Sequence, residues 1–206
     1  MVDPAVDVAI NLKIQHAHVE VVTKALEAGR HVHSEKPLAP TFAEAQQLVA
    51  LANAKGLRLS CAPVTWLGEV QQTVWKLVRE GRIGTPRVVY AAVDWARIET
   101  WHPNPVPFYA AGPVGDVGVY PISLLTAWFG PVQSVTADGG ILLPNRKTNE
   151  GKPFEVDKTD FAVALLKFGQ GVSARLSANF YLGIPADRRA GLEIRGDDGS
   201  IRTEWF

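Results

Sequence analysis

The chain has 206 residues, of which 47% are hydrophobic and 20% are charged, and its 21 basic side chains balance its 21 acidic ones. This is the composition of an ordinary folded domain, and a net charge of zero offers no basic surface for nucleic acid or for an anionic membrane. A single cysteine excludes an internal disulfide and no apolar run approaches the ~20 residues of a membrane helix, so we expect a protein of the reducing cytoplasm.

The first third of the chain alternates between short apolar runs and segments with helical spacing. The apolar run at residues 6–12 predicts a buried strand, and residues 31–36 and 57–62 are predicted as a second and a third strand. Between them, helices are predicted from residue 16 to Gly29 and from the capping box of Thr41 and Glu44 to Gly56. The order strand, helix, strand, helix, strand is typical of parallel strands joined by crossover helices.

The remainder of the chain has a different pattern. A helix is predicted over residues 68–81 and a long strand over residues 87–95, and strands with tight turns follow from about residue 132. Two hairpins are predicted, at residues 161–180 and 192–206. Residues 172–180 alternate between apolar and polar side chains, which indicates a sheet with one buried and one open face. The sequence therefore predicts an α/β part followed by an α+β part with a mainly antiparallel sheet.

Four segments, in order and at similar spacing, resemble the Gfo/Idh/MocA oxidoreductases. They are NLKIQHAHVE at residues 11–20, HVHSEKP at residues 31–37, WHPNP at residues 101–105 and GPVGDVGVYP at residues 112–121. The Glu-Lys-Pro triplet alone is weakly specific, whereas the four segments together cover nearly the whole chain. The resemblance implies a partial Rossmann nucleotide-binding domain at residues 1–66 and a substrate and oligomerisation domain at residues 67–206.

The chain lacks one element that the resemblance implies. Family members begin with a strand and a glycine-rich turn that holds the cofactor pyrophosphate, and no G-x-G-x-x-G occurs in these 206 residues. We expect the chain to begin at the fourth strand of the nucleotide domain and to be cut short at its end. On that expectation, the 206-residue chain alone binds a dinucleotide poorly.

The resemblance implies a hydride-transferring enzyme that uses NAD or NADP and acts on a sugar, a cyclic polyol or a related hydroxy compound. Its implied catalytic residues are Lys36, Asp116 and Tyr120. The implied cofactor-binding residues are Asn11, Leu12, His18, Glu35, Lys36 and Pro37. The implied substrate-binding residues are Trp101, His102, Tyr109 and Asp116. Taken without the resemblance, Lys36 is an ordinary surface lysine at a strand end.

Asp116 and Tyr120 are four residues apart, so they share a face if both lie on a helix. The resemblance implies that Tyr120 moves the proton of the substrate hydroxyl and that Asp116 orients the substrate. Family members commonly have His where this chain has Tyr120. Because proline disfavours a helix interior, we expect the regular helix to begin late, with Pro121 in or near its first turn. The alternative is that Asp116 caps this helix and Tyr120 is a core residue.

Two further functions compete with the enzyme. The Tyr120 replacement and the missing glycine loop are compatible with a non-catalytic regulator that binds a sugar or a dinucleotide. The pairs His16/His18 and His31/His33 are compatible with a zinc hydrolase, although no neighbouring carboxylates support a metal site, and we expect none. We expect no nucleic-acid or membrane partner.

Arg175 lies on the polar face of the second strand in the first predicted hairpin. The resemblance implies that this open sheet face forms subunit contacts, and arginine and aromatic side chains suit such contacts. We therefore expect a homodimer or a larger homo-oligomer that assembles through the second-domain sheet.

Overall fold

The computed structural model describes residue 3, residues 5–183 and residues 189–204, and the chain forms two compact units, Met1–Val64 and Thr65–Phe206. In the first unit, the strands are β1 (Val8–Asn11), β2 (His31–Ser34) and β3 (Leu59–Cys61), and the helices are α1 (His18–Glu27) and α2 (Phe42–Ala54). The strands are parallel in the order β1-β2-β3. This confirms the predicted alternation of strands and crossover helices.

Local signals set the ends of both helices in the first unit. Thr41 and Glu44 form the predicted capping box, in which the Thr41 hydroxyl accepts from the Glu44 backbone N–H and the Glu44 carboxylate accepts from the Thr41 backbone N–H. Gly29 and Gly56 follow the helices with φ of 75° and 65°, a conformation that disfavours a Cβ atom. Val22 and Leu26 of α1 and Leu48 of α2 are buried together in the core of this unit.

β1 differs from its prediction as a buried strand. Val8 is 51% exposed and Ile10 is 66% exposed, whereas Asn11 is buried. Val8 and Ile10 are two residues apart and therefore share one face of the strand, which the described part of the unit leaves exposed. A short apolar run cannot indicate whether a strand face is covered, since that depends on distant parts of the chain.

The second unit is built on a six-stranded sheet. Its helices are α3 (Glu69–Arg79), α4 (Val106–Pro113) and α5 (Val119–Phe129), with a π-helical turn at Val114–Gly118 between the last two. Its strands are β4 (Pro86–Ala96), β5 (Val132–Gly140), β6 (Asn145–Lys147), β7 (Pro153–Glu155), β8 (Phe161–Phe168), β9 (Ser173–Leu182), β10 (Arg189–Gly196) and β11 (Ser200–Thr203). β6 and β7 form a separate antiparallel pair.

The large sheet has the order β11-β10-β4-β9-β8-β5. β4 and β9 pair in parallel, and the other neighbours are antiparallel, which confirms a mainly antiparallel sheet. Both predicted hairpins form, as β8–β9 and as β10–β11, although residues 205–206 of the second prediction lie outside the described residues. Ala174, Leu176, Ala178 and Phe180 of β9 are buried, as the alternation predicts. The core lies between this face and the helices α3 and α5.

Candidate functional site

The carboxyl ends of the three parallel strands place polar groups at one edge of the first unit. Asn11, the last residue of β1, is 2% exposed, and its side-chain amide donates to the Ser34 hydroxyl of β2 at 2.9 Å. The Ser34 hydroxyl in turn donates to the Glu35 carbonyl at 3.1 Å, and the Glu35 backbone N–H donates to the Asn11 carbonyl at 2.8 Å. These bonds fix the backbone of the Glu-Lys-Pro triplet at a strand end, where open α/β sheets bind ligands.

The triplet itself is half-buried. The Lys36 backbone N–H donates to the Glu35 carboxylate at 3.1 Å, and the Lys36–Pro37 peptide bond is cis. Cys61 ends β3 beside this turn, and burial together with the nearby Glu35 carboxylate raises the pKa of its thiol to about 11. The thiol is therefore protonated at neutral pH and is a poor nucleophile.

His18 lies at the start of α1 and connects two loops of this edge. It is 1% exposed, and its ring nitrogens lie 2.6 Å from the Pro37 carbonyl oxygen and 2.8 Å from the Lys13 carbonyl oxygen. The side chain is thus enclosed by protein groups and holds the segment after β1 against the segment after β2. Leu12, one residue before Lys13, is 73% exposed and offers an apolar surface.

Asp116 and Tyr120 lie on the second unit. Gly112 has φ of 68° and interrupts the helical path before the π-helical turn that carries Asp116. α5 begins at Val119, so Tyr120 is its second residue and Pro121 its third. This confirms a late helix start with Pro121 in the first turn. Both Asp116 and Tyr120 are half-buried.

An aromatic group is formed by the loop before α4 and the first turn of α4 in the same unit. The rings of Trp101, His102 and Phe108 lie in mutual edge contact, with centroids 4.8 to 5.8 Å apart. Trp101 is 42% exposed, and the His102 Nδ1 atom contacts the backbone of Asn104. An exposed indole held by neighbouring rings can stack on the apolar face of a sugar.

Tyr109, which the sequence places with the substrate, lies instead in a buried charged network. Its ring is 3% exposed, and its hydroxyl contacts a carboxylate oxygen of Glu99 at 2.5 Å and an Arg146 guanidinium nitrogen at 2.7 Å. The guanidinium also donates to Glu99 at 3.2 Å, to the Phe180 carbonyl at 3.0 Å and to the Asp160 carboxylate at 2.6 Å. The Tyr109 hydroxyl also accepts from the Ile98 backbone N–H at 3.1 Å, so Tyr109 anchors the segment that leads into Trp101 and His102.

The network has clear electrostatic consequences. Burial raises the pKa of the Tyr109 phenol, and the hydrogen bond to the Glu99 carboxylate raises it further, so the hydroxyl remains protonated. Asp160 is fully buried and also accepts from the backbone N–H groups of Leu142 and Leu143 at 2.8 and 3.2 Å. Glu99, Arg146 and Asp160 could not be identified from the sequence, because residues so far apart along the chain share no periodic pattern.

The histidine pairs do not form one cluster with acidic or thiol ligands. Within the described ranges, no group of three or more His, Cys, Asp or Glu side chains could hold a metal ion. The His31 ring accepts from the Arg58 backbone N–H at 2.9 Å, and the His33 ring contacts the Ser60 hydroxyl at 2.8 Å. Over the same ranges, no helix has the length and apolarity needed to span a bilayer.

Two family models match the chain. Residues 1–62 match the model of an oxidoreductase family with an NAD-binding Rossmann fold, and residues 71–202 match the GFO/IDH/MocA C-terminal domain. The dTDP-3,4-didehydro-2,6-dideoxy-alpha-D-glucose 3-reductase of Streptomyces antibioticus is 36% identical over 139 residues, which are 64% of this chain and 40% of that enzyme. The trans-1,2-dihydrobenzene-1,2-diol dehydrogenase of Oryctolagus cuniculus is 29% identical over 182 residues, 82% of this chain and 48% of that enzyme.

Solved structures agree with these matches. An NAD binding oxidoreductase from Klebsiella pneumoniae superposes with a TM-score of 0.85 at 25% identity, over 98% of this chain and 55% of that one. The chain therefore spans about half the length, or less, of the proteins that it resembles.

Proposed function

The chain belongs to the Gfo/Idh/MocA family of NAD-binding oxidoreductases. We therefore propose that it acts as a dehydrogenase or reductase on a CH–OH group of a sugar, a cyclic polyol or a related hydroxy compound. The observation that carries this proposal is the Glu35-Lys36-Pro37 turn at the carboxyl edge of a parallel sheet, within the segment that matches the NAD-binding model. Ligands of open α/β sheets bind at this edge.

The residues at this edge fit the nicotinamide end of the cofactor. The exposed Leu12 side chain offers an apolar surface for the ring, and the hydrogen bonds of Asn11 and His18 hold the two flanking loops in fixed positions. When bound, the nicotinamide supplies or accepts a hydride. The Lys36 ammonium would stabilise negative charge that develops on the substrate oxygen. Glu35 and Pro37 would set the backbone direction at Lys36.

On the second unit, we assign proton transfer to Tyr120. Its phenol would give a proton to the substrate oxygen during reduction and take one during oxidation. Asp116, in the π-helical turn before α5, would accept hydrogen bonds from substrate hydroxyl groups. Trp101 and His102 would bind the apolar face of a sugar ring, and Tyr109 would hold their loop from the protein interior.

The relatives support a sugar-like substrate. The name of the Streptomyces enzyme gives a nucleotide-linked dideoxyglucose as its substrate, and the name of the rabbit enzyme gives a cyclic diol. Both names describe vicinal oxygen groups on a six-membered ring, which suits a site with one proton-transferring phenol and one hydrogen-bond acceptor.

The experiment that tests the function is a turnover assay. The purified chain is incubated with NADH or NADPH and a panel of keto sugars and cyclic ketones, and with NAD+ or NADP+ and the matching alcohols. The cofactors are supplied at millimolar concentration, because the 206 residues alone are expected to bind a dinucleotide poorly. Loss or gain of the reduced cofactor absorbance with one substrate class would support the proposal. Specific binding of a sugar without turnover of any panel member would favour the non-catalytic regulator.

We also propose that copies of the chain associate through the open face of the six-stranded sheet. There the Tyr90 ring lies between Arg175 and Arg195, with the guanidinium carbons 5.2 and 5.0 Å from its centroid, beside a groove of about 650 Å³. Stacked Arg and Tyr side chains are characteristic of protein interfaces. We expect sedimentation velocity to show a dimer or larger species and Arg175→Glu to shift it towards the monomer. A wild-type chain that sediments as a monomer at high concentration would contradict this assembly.

A further inference from the structure

Residues 99–109 form the aromatic segment, which carries the aromatic group and whose two end residues bond each other. Glu99 is the first residue of the segment and Tyr109 is the last, and the Tyr109 hydroxyl donates to the Glu99 carboxylate at 2.5 Å. Arg146 of β6 contacts both of them, because its Nη1 atom donates to Glu99 at 3.2 Å and to the Tyr109 hydroxyl at 2.7 Å. One guanidinium group therefore joins the two ends of the aromatic segment.

The same guanidinium is fixed to the framework of the second unit. It donates to the Asp160 carboxylate at 2.6 Å, to the Phe180 carbonyl at 3.0 Å and to the Leu143 carbonyl at 2.9 Å. The side chains of Arg146 and Asp160 are only 2% and 0% exposed. A planar guanidinium with buried partners on several sides cannot turn without leaving one of them unpaired. The ends of the aromatic segment are therefore held in one place relative to β9, which carries Phe180.

Backbone hydrogen bonds connect this network to the two rings that we assign to sugar binding. The Tyr109 hydroxyl accepts from the Ile98 backbone N–H at 3.1 Å. The Ile98 carbonyl in turn accepts from the backbone N–H groups of Trp101 and His102 at 3.1 and 2.8 Å. Ile98 is fully buried, whereas Trp101 is 42% exposed. Burial fixes the Trp101 ring only in part, so its position depends on the backbone that these bonds hold.

We propose that Arg146 is a positioning residue for substrate binding, which acts by bonding Glu99 and Tyr109 and so places the Trp101 and His102 rings. The inference rests on the proposed function, which assigns sugar binding to those two rings. Arg146 does not itself contact the substrate in this account. A loop that is already held in its binding arrangement loses less conformational entropy when a ligand binds, so the network strengthens sugar binding without adding a contact.

The first test is a spectroscopic measurement on Trp101. Its indole N–H signal is assigned by its loss in Trp101→Phe. Arg146→Lys keeps the positive charge but not the planar fork that reaches Glu99 and Tyr109 together, and it is expected to shift the Trp101 signal. Tyr109→Phe keeps the ring and removes the hydroxyl that bonds Ile98, so it is expected to shift the same signal.

Two core tryptophans serve as the internal reference for this measurement. Trp75 and Trp128 stack at a centroid distance of 5.9 Å in the main core of the second unit. Their indole signals are expected to stay in place in both variants, because positioning of the aromatic segment does not involve them. Tyr181→Phe is the matched control, since it removes a phenolic hydroxyl elsewhere in the same unit, and it is expected to leave the Trp101 signal unchanged.

The second test separates binding from chemistry in the turnover assay. For a panel substrate that the wild type accepts, Tyr109→Phe is expected to raise KM by ~2–10-fold, the worth of a well-placed aromatic contact. Its kcat is expected to change by less than ~2-fold, because the residues assigned to the chemical step remain in place. Tyr181→Phe is expected to leave both constants unchanged.

An unmoved Trp101 signal in Arg146→Lys and Tyr109→Phe would overturn the inference, whether or not the chain turns over a substrate. Equal shifts of the Trp101, Trp75 and Trp128 signals would also overturn it, since the network would then serve only the overall fold. A fall in kcat with unchanged KM would exclude a role in binding. Failure of the proposed function is read separately, as absence of turnover by the wild type with every panel member.

Discussion

Replacing Tyr120 by Phe is expected to lower kcat by ~10²–10⁴-fold, the range that general acid–base groups contribute. The substitution removes the hydroxyl that we assign to proton transfer and keeps the ring that packs against the core of the second unit. Because the ring remains, KM is expected to change little. The measurement is steady-state turnover of whichever panel substrate the wild-type chain accepts.

Tyr181→Phe is the control for this prediction. It removes another phenolic hydroxyl from the second unit, and it leaves intact the Tyr181 backbone carbonyl that Arg97 contacts. It is expected to retain turnover. If Tyr120→Phe also retained kcat, Tyr120 would be a core residue and proton transfer would need another group.

Replacing Arg146 by Met is expected to lower the free energy of unfolding by ~3–5 kcal/mol, the cost of removing one member of a buried ion pair. Met approximates the volume of the side-chain stem but leaves the Glu99 and Asp160 carboxylates buried without their cation. The Tyr109 hydroxyl and the Phe180 carbonyl also lose a donor. The measurement is urea unfolding followed by circular dichroism.

Lys147→Met is the matched control, because Lys147 is the next residue on β6 and is exposed. It is expected to change stability by less than ~0.5 kcal/mol, as surface substitutions usually do. If Arg146→Met yields no folded protein, Tyr109→Phe tests the same network more mildly, since it removes one hydroxyl and keeps both ion pairs. Equal stability of the wild type and all three variants would mean that the network contributes nothing to the fold.

Local sequence signals predicted much of the fold. The capping box of Thr41 and Glu44 and the stops at Gly29 and Gly56 depend on contacts between near neighbours, so they can be identified without a tertiary structure. The β8–β9 hairpin depends on alternation along one strand. The exposure of β1 was not predictable in this way, because the covering of a strand face depends on distant parts of the chain.

The candidate site shows the same division. Lys36, Asp116 and Tyr120 were identified through motif resemblance, and their roles remain predictions. The burial of Tyr109 was not predictable, because it depends on Arg146, which lies 37 residues away in sequence. His18 shows an intermediate case: its position at a helix start was predicted, but its contacts with Lys13 and Pro37 required the fold.

The most direct test of the account is a titration of the chain with NADH, followed through the backbone amide signals of residues 11–13 and 35–36. Amide signals are the appropriate probe because residues 1–64 contain no tryptophan. The account predicts saturable shifts at these residues only at high NADH concentration, because the 206 residues contain no glycine-rich turn and are expected to bind a dinucleotide poorly. It also predicts a ~10-fold or greater loss of affinity in Lys36→Ala from the loss of a charged contact, and unchanged affinity in Lys55→Ala, an exposed lysine of the same unit. Absence of any shift at these residues with millimolar NADH, or equal affinity of all three proteins, would contradict a nicotinamide site at this edge.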